Sequence, residues 1–382
     1  MGYDTFYLVF SIISMVYFFF FMIRRKITIL NYSDKRFIGT SIVFLSVLSG
    51  LRPSGIPDTV AYYFTYSISP NIKMDNLNLF ARYSNSEIGY IYLNKLFSSL
   101  GVPYRLYLGI VCSMILSLTV YGLYLILRSL GNRERYSIIG LYSVFLLYNG
   151  LHNSSIAIRA GLCIGFGLIG VGIYLNNRSN LVFSIALIVF SMLFQTMGIL
   201  FFVAILIARL KKVHINIWFV YIIYVALCLS VLLDLGKRIY PIVLENISPI
   251  LEKLNITSFD KYILQSVSNG GDYAYSKRYV ARVFVNGLLI TLTFKDDIKH
   301  KKLTLVSLIG LMLQGVAYPL VGLYRIVDFF MMFLIPLITD ALSESNTLTI
   351  KRLVIFITTL LLLYLQILIV YRPFDIVTSS SF

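Results

Sequence analysis

Long apolar runs recur from one end of this chain to the other and restrict it to one class of fold. They lie near residues 4–23, 37–51, 104–127, 136–148, 156–175, 181–208, 216–233, 278–294, 303–319, 325–342 and 353–370. A membrane-spanning helix needs roughly 20 apolar residues, whereas a transmembrane β-barrel shows short segments of alternating polarity. Only 13% of the residues are charged, against about 25% in soluble domains. The sequence therefore predicts an all-α, polytopic integral membrane protein.

The net charge and the positions of the cysteines limit the ligands and sites that we expect in this protein. The net charge is +16, which in a membrane protein indicates basic loops that meet anionic lipid, not nucleic acid. A polyanionic substrate remains open on this evidence. The cysteines Cys112, Cys163 and Cys228 all fall inside apolar runs without paired or metal-ligand spacing, so we expect no disulfide and no metal site. A Walker motif is absent from the sequence, and we expect no cofactor.

The basic segments predict how the chain crosses the membrane. Lysines and arginines cluster in residues 24–36, 128–135, 209–214 and 295–302, which the positive-inside rule assigns to the cytoplasm. The N-terminus is then outside, and the first run reads as a retained span because no basic residue precedes it and no small-residue cleavage site follows it.

The run 181–208 conflicts with a single crossing, since Arg178 before it and Arg209 after it both belong to the cytoplasmic side. Two short helices with a tip at Gln195, in the sequence FQTMG, resolve the conflict. About twelve crossings then place both termini outside. We expect a single polytopic membrane domain over residues 1–382, with large outer loops at about 52–103 and 234–277 and short ones at 149–155, 195–198 and 320–324. Within the first loop, residues 86–100 predict an amphipathic helix, preceded by a capping box of the form Ser84-x-x-Glu87.

Many polar residues fall on the outer side of this layout. They are Arg52, Asp58, Glu87, His152, Asn153, Arg159, Gln195, Arg278, Arg282, Arg325 and Asp328. An ionisable residue in a span usually faces a cavity or a partner. Arg159 and Arg325 also begin helices, where the macrodipole disfavours a cation and a bound anion would relieve the conflict. Arginine is the preferred residue for phosphate, so this side of the membrane suits a phosphate or pyrophosphate ligand.

Simpler interpretations exist for the charged residues. Arg159 can snorkel to the lipid headgroups, and Arg325 and Asp328 can form a surface pair one turn apart. Glu87 can complete its capping box. Asp58 can cap a helix that begins at the next residue.

The uncharged candidates have simpler interpretations too. His152 can be an ordinary loop residue, and Gln195 can serve as a hydrogen-bonding turn residue. The outer tyrosines suit either an interfacial aromatic belt or stacking against sugars. They are Tyr62, Tyr63, Tyr66, Tyr90 and Tyr92.

The ordered set of motifs resembles a known family. In chain order they are GLRPSGIPDTVAYYF, SEIGYIYLNKLFSSLG, AIRAGLCIGFGLIGVGIYL, LFQTMGIL and YRIVDFFMMFLIPLI, which together span roughly residues 37–342. They are similar to the EpsG family of polysaccharide-biosynthesis membrane proteins, which are Wzy-like polymerases of oligosaccharide repeat units. The resemblance is compatible with a GT-C-like helical bundle.

The resemblance implies a reaction, a place and partners. It implies glycosyl transfer from an undecaprenyl pyrophosphate-linked glycan to a lipid-linked acceptor unit, without a nucleotide sugar. The site would face outside, or the periplasm, from a bacterial cytoplasmic (inner) membrane, and the product would be an O-antigen, lipopolysaccharide or capsule chain. The implied partners are the lipid-linked oligosaccharide and membrane lipids, with a chain-length regulator as a further candidate and no nucleic acid.

The resemblance also implies roles for single residues. Arg52, Arg159 and Arg325, with Arg282, would bind the pyrophosphate, and Asp58, ahead of Glu87, would be the catalytic base. Contacts to the glycan would come from Tyr62, His152, Gln195 and Asp328.

The chain departs from the family pattern at two positions. Members usually carry histidine at the hairpin tip, where this chain has Gln195, so a catalytic histidine there is excluded. Ala160 follows Arg159 where relatives have glutamine, which weakens any claim that the two residues act as a unit.

Two other functions remain open. A flippase for lipid-linked oligosaccharide would share a cationic cavity, but we find no repeat of half-chain length, and the polar residues gather at one face instead of mid-membrane. An O-acyltransferase or a glycan ligase is the third interpretation. The acyltransferase would need a histidine deep in a span, and His152, His214 and His300 are all predicted in loops.

Overall fold

The computed structural model of the chain is built from helices. It describes every residue outside 1–2, 24–31, 57, 77–79, 81–85, 132–137, 234, 236–275, 318–320, 344–349 and 380–382. The described residues contain helices and short connections and no β-strand. The predicted all-α class is thus confirmed, and five helical segments are long and apolar enough to cross a membrane. These candidates are Thr5–Met22, Tyr104–Ser129, Ile158–Asn176, Ile326–Ser343 and Ile350–Ile367.

The α-helices are numbered here in chain order. They are α1 (Tyr3–Ile23), α2 (Tyr32–Gly50), α3 (Thr59–Ile68), α4 (Ile88–Ser99), α5 (Tyr104–Ser129), α6 (Ile138–Phe145), α7 (Ile158–Asn176), α8 (Leu181–Met192), α9 (Phe201–Arg209), α10 (Ile217–Leu232), α11 (Ser276–Thr293), α12 (Ile298–Ala317), α13 (Val321–Met331), α14 (Leu334–Ser343) and α15 (Ile350–Ser379). About twelve crossings and two outside termini stay predictions.

Two compact units make up the chain. The first comprises Met1–Leu210 and Ile335–Gln366, and the second comprises Lys211–Leu334 and Ile367–Phe382. The expectation of one functional membrane domain over the whole chain stays a prediction.

The first unit is centred on α5 and α7, which pack closely through glycines. A Cβ atom at Gly122 would lie 2.7 Å from the Leu168 Cβ, and one at Gly165 would lie 2.7 Å from the Leu118 Cβ. Small residues of this kind allow helix backbones to approach in a membrane. The close crossing fixes α7, whose first turn carries Arg159.

The predicted interruption of the run 181–208 is confirmed. Helix α8 ends at Met192, Gln195 is extended, and a 3₁₀ turn, Thr196–Leu200, leads into α9. Helices α8 and α9 both pack on α7. The rings of Phe166 and Phe194 stack at 5.6 Å beside the interruption.

The predicted outer loop 149–155 is wrong, because this stretch is helical. Helix α6 continues into π-helical turns at Leu146–Gly150 and His152–Ile156, which we call the π-helical segment (residues 146–156). The chain leaves the helix only at Ala157. Within it, the Ser154 hydroxyl donates to the Gly150 carbonyl one turn back at 2.6 Å.

The predicted outer loop 52–103 contains α3 and α4, so the amphipathic helix expected at 86–100 is confirmed as Ile88–Ser99. Most of the second predicted outer loop, 234–277, lies outside the described residues.

The second unit contains α10 to α13. Asn286 on α11 donates from its amide to the Gln314 amide oxygen on α12 at 2.8 Å, and both side chains are buried. Part of the predicted loop 295–302 is helical, since α12 begins at Ile298. Asp297 caps this helix, because its carboxylate accepts from the backbone N–H groups of Lys299 and His300, both at 3.1 Å.

Candidate functional site

Arg52 is buried just beyond the end of α2. Only 6% of it is exposed. Its Nη1 donates to the Ser155 carbonyl near the end of the π-helical segment. Its Nε and Nη2 make no hydrogen bond of good geometry among the described residues, although the Tyr104 hydroxyl lies close enough to interact with the guanidinium. A buried guanidinium with unused donors is costly unless an anion completes its contacts.

Two tyrosine rings connect Arg52 to Arg159. The Arg52 Cζ lies 5.9 Å from the centroid of the Tyr62 ring, and the Arg159 Cζ lies 5.9 Å from that of Tyr90. The Tyr62 and Tyr90 rings are themselves 5.5 Å apart. Cations over aromatic faces are attracted by the ring quadrupole. The structure thus places two arginines that are far apart in sequence against the two rings of one tyrosine pair.

Glu87 ties three elements together at this place. Its Oε2 accepts from Arg159 Nη1 at 2.9 Å, and its Oε1 accepts from the Thr196 backbone N–H at 3.4 Å. The side chains of Glu87 and Arg159 are both 22% exposed. One carboxylate therefore joins the start of α4, the first turn of α7 and the interruption between α8 and α9.

The capping role considered for Glu87 is wrong. Helix α4 begins at Ile88, which puts Glu87 at the N-cap position without a side-chain cap bond, and Ser84 lies outside the described residues. The reason is that Arg159 and Thr196, which are distant in sequence, occupy both carboxylate oxygens.

Helix α4 also lies against the interruption through its backbone. The Gly89 N–H donates to the Leu193 carbonyl at 2.8 Å. A Cβ atom at Gly89 would lie 2.7 Å from both the Cβ and the carbonyl oxygen of Leu193. Only glycine allows this approach without displacement. Sequence reasoning missed this residue, although a glycine in the first turn of an amphipathic helix was a usable signal.

The outer tyrosines form an interior cluster as well as a surface. Tyr62, Tyr66 and Tyr90 are buried, while Tyr63 and Tyr92 are exposed. The Tyr66 ring stacks on Tyr107 at 4.6 Å, and the Tyr104 hydroxyl donates to the Thr59 carbonyl at 3.0 Å. The buried members position α3 and α4 against the N-terminal end of α5, so the expected aromatic belt describes only the exposed ones.

Asp58 has an unusual backbone conformation. Its φ angle is +59°, and it is the one non-glycine residue with positive φ among the described residues. Helix α3 does begin at Thr59, but the Asp58 side chain makes no cap bond. An open groove of about 610 Å³ lies beside it, lined by Ser54, Gly55, Ile56, Asp58, Val60, Ala61 and Phe64. Strained residues of this kind cluster at functional sites.

Gln195 contacts α7, and His152 lies on the segment that precedes this helix. The Gln195 carbonyl accepts from the Cys163 thiol at 3.4 Å, and Cys163 lies one turn beyond Arg159. The Gln195 Oε1 is buried without a partner among the described residues. His152 is half-buried on the π-helical segment instead of in the predicted loop.

The remaining candidates belong to the second unit. Arg282 and Asp328 form a buried ion pair there, with Nη2 and Oδ1 3.6 Å apart. Helix α13 begins at Val321, so the backbone of Arg325 lies one turn inside the helix and not at its N-terminus as predicted. The dipole argument therefore does not apply to Arg325, because that effect is confined to the first turn. The side chain of Arg325 lies outside the described residues.

A metal site finds no support among the described residues, which hold no group of three or more histidine, cysteine, aspartate or glutamate side chains that could bind an ion.

Comparisons with known proteins give one informative result. The model of the EpsG family matches residues 35–377. Comparison with curated proteins and with solved structures gives no match. The family match covers nearly the whole chain and includes Arg52, Asp58, Glu87 and Arg159. The apolar helices and this match together indicate a membrane protein of polysaccharide biosynthesis. The chain therefore belongs to the EpsG family, a family of Wzy-like polymerases.

Proposed function

We propose that this protein polymerises lipid-linked oligosaccharide repeat units at the outer face of a bacterial cytoplasmic membrane. The observation that supports this most is the pair of arginines, Arg52 and Arg159, each held against one ring of the Tyr62–Tyr90 pair. Family membership supplies the chemical class, a glycosyl transfer of the Wzy type. The donor is a glycan on undecaprenyl pyrophosphate, and the acceptor is a sugar hydroxyl of a new lipid-linked unit.

The proposed reaction exchanges one bond for another. The bond between the anomeric carbon of the glycan and the pyrophosphate oxygen breaks, and the lipid pyrophosphate leaves with the electron pair. The acceptor oxygen bonds to that carbon and gives its proton to a base. Charge grows on the pyrophosphate as the bond breaks, so cations held in advance near it lower the barrier.

Arg52 and Arg159 supply this stabilisation in the proposal. Arg52 is buried and keeps unused N–H donors, which suit the oxygens of a pyrophosphate. Arg159 lies in the first turn of α7, where the helix dipole favours an anion over a cation. An anion that contacts both guanidiniums would compensate the burial of Arg52 and the unfavourable helix dipole at Arg159.

The two carboxylates receive different roles. Asp58 is the base, since it lines an open groove in a strained conformation. Glu87 is a positioning residue, because both of its oxygens already accept hydrogen bonds, one of them from Arg159. Taking up a proton at Glu87 would weaken the contact that orients Arg159.

The glycan itself would be contacted by residues other than the two arginines. Gln195, with its buried amide oxygen, and His152, on the π-helical segment, are candidates for hydrogen bonds to sugar hydroxyls. The glycan contact predicted for Tyr62 stays a prediction, and in this proposal its buried ring, which contacts Arg52 and Tyr90, also positions the arginine. The roles predicted for Arg282, Arg325 and Asp328 in the second unit stay predictions, as does a chain-length regulator as partner.

A flippase for the same lipid-linked oligosaccharide is the second candidate. It would also use a cationic site without a nucleotide motif. We favour the polymerase for two reasons. The family is polymerase-like, and an aspartate in a strained conformation at a groove suits catalysis better than transport of the lipid-linked oligosaccharide.

Complementation separates the two functions. A strain without this gene would receive the wild type, Arg52→Ala, Asp58→Asn or Arg159→Ala, with protein levels in the membrane checked. Surface glycan length would be read on a gel. The proposal expects single-repeat glycan in the null strain and a ladder with the wild type. Repeat units trapped inside the null strain, with no surface glycan, would establish the flippase instead.

A further inference from the structure

The π-helical segment links Arg52 to a residue that lies far away in the sequence, Gln366 on α15. The Gln366 Nε2 donates to the carbonyls of Leu146 and Leu147, at 3.1 and 3.3 Å. These carbonyls stand where α6 changes into π-helical turns. Near the other end of the segment, the Ser155 carbonyl accepts from Arg52. One short segment is thus held by α15 at its start and holds Arg52 near its end.

The π-helical turns need outside support. Such turns are rare, and they frequently occur at functional sites. Leu146 and Leu147 are fully buried, and Gln366 is 2% exposed. A buried carbonyl far from water must find its donors within the protein. Gln366 provides donors to both carbonyls at the point where the geometry changes.

The position of Ser155 depends on this geometry. An α-helix closes its hydrogen bonds over four residues and a π-helix over five. A segment that tightened from π to α would rotate its later residues, His152 to Ser155, about the helix axis. The Ser155 carbonyl would then leave Arg52 without the acceptor that now orients its guanidinium.

We propose that Gln366 is a positioning residue for Arg52, acting through the π-helical segment. The inference rests on the proposed function, because it assumes that Arg52 binds the pyrophosphate group of the substrate. Gln366 itself contacts the segment and not the ligand.

The test is a double-mutant cycle on the full-length protein, purified in detergent, with inorganic pyrophosphate as the probe. Gln366→Met keeps the length of the side chain and removes the donors. The cycle combines it with Arg52→Ala, and binding is measured by titration calorimetry, with melting temperatures recorded for each variant. Thr359→Val is the matched control. Thr359 is buried on the same helix, and its hydroxyl donates within that helix, to the Ile355 carbonyl.

The expected result is that Gln366→Met weakens pyrophosphate binding about tenfold while Thr359→Val leaves it unchanged. In the Arg52→Ala background, Gln366→Met should cause no further loss, since the residue through which it acts is absent. If Gln366→Met does not accumulate, Gln366→Glu keeps the shape, replaces the donors by a carboxylate and enters the same cycle.

The alternative outcomes are distinguishable. Losses that add in the double variant, or a lower melting temperature with unchanged binding, would show that Gln366 only stabilises the fold. A wild type that binds no pyrophosphate would overturn the proposed function, and this inference with it.

Discussion

At the scale of single residues, the surroundings of Asp58 and Glu87 separate two carboxylates that look equivalent in the sequence. Glu87 accepts from Arg159 and from the Thr196 backbone, whereas Asp58 lines a groove with a backbone in the left-handed region. A base must be able to take up a proton in the reaction, and a positioning residue must keep its contacts. The two residues should therefore respond differently to the same chemical change, from carboxylate to amide.

Asp58→Asn is expected to reduce polymerisation at least about 100-fold, because general-base catalysis contributes about that much or more. The asparagine keeps the size of the side chain and its tolerance of positive φ, so folding should be unaffected. Glycan transfer by purified variants, at equal melting temperature, is the measurement. Activity within a few-fold of wild type would remove Asp58 from the role of base.

Glu87→Gln is expected to reduce activity less than about tenfold, since the amide oxygen can still accept from Arg159 or from Thr196. Glu87→Ala should reduce activity far more, because it removes the carboxylate to which the Arg159 guanidinium donates. The comparison uses the same transfer assay. If Glu87→Gln is as inactive as Asp58→Asn, Glu87 is the base and the assignment is reversed.

The sequence alone predicts Arg52, Asp58, Glu87 and Arg159 as polar residues on one side of the membrane, but not which of them touch. The Glu87–Arg159 pair joins residues 72 apart, and no local pattern reports such a contact. Local rules instead favoured a capping box at Glu87, which the long-range partners displaced. Gln366, in contrast to Gly89, carried no pattern that the sequence could single out.

At the scale of elements, the position of α4 depends on its first turn. The Gly89 N–H and the Glu87 carboxylate fix this turn to the interruption between α8 and α9. The interruption was predictable, because basic residues on both sides of one apolar run demand a reversal. The π-helical segment was not predictable, because its polar residues are typical of a loop. The residue that supports it, Gln366, is 220 residues away from Leu146.

Gly89→Ala is expected to destabilise the protein by about 1–3 kcal/mol, as overpacking typically does. The added Cβ would lie 2.7 Å from Leu193 atoms, so α4 must shift and lose its backbone bond. Gly39→Ala is the control, because nothing lies within 4 Å of the added atom there. Thermal unfolding in detergent measures both, and equal melting temperatures would contradict the close approach.

The cap of α12 predicts a pH dependence. Partial burial acts to raise the pKa of Asp297, but hydrogen bonds and charge from His300, with a bond from the Lys299 N–H, lower it to about 2. The ordinary pKa is about 3.9, so the charged carboxylate stabilises the folded state above that pH. This contribution is lost as the pH falls towards 2.

Asp297→Asn should therefore melt below the wild type at pH 6, and the difference should narrow from about pH 4 downwards. Asp296→Asn is the control, because that side chain is 84% exposed and its pair with Lys301 is worth little. Melting curves across this pH range provide the measurement. A difference that does not change with pH would mean that the Asp297 charge does not stabilise the helix.

At the scale of the whole molecule, the sequence establishes the membrane class and the family. It does not establish the number of membrane crossings as firmly. Apolar runs mark helices, but the predicted span 325–342 lies on two helices, α13 and α14, and the run 181–208 divides into α8 and α9. Counting runs cannot detect breaks that tertiary contacts stabilise. Among the described residues, five helical segments qualify as candidate spans by length and composition. Five shorter apolar segments accompany them.

The central claim is that this protein joins lipid-linked repeat units by itself, and reconstitution tests it most directly. Purified protein would be mixed with undecaprenyl pyrophosphate-linked repeat units in detergent, without nucleotide sugar, beside a matched Arg52→Ala sample. The account predicts a ladder of glycan lengths with wild type, release of one undecaprenyl pyrophosphate per bond formed, and single repeats only with Arg52→Ala. Single repeats with correctly folded wild-type protein would contradict it.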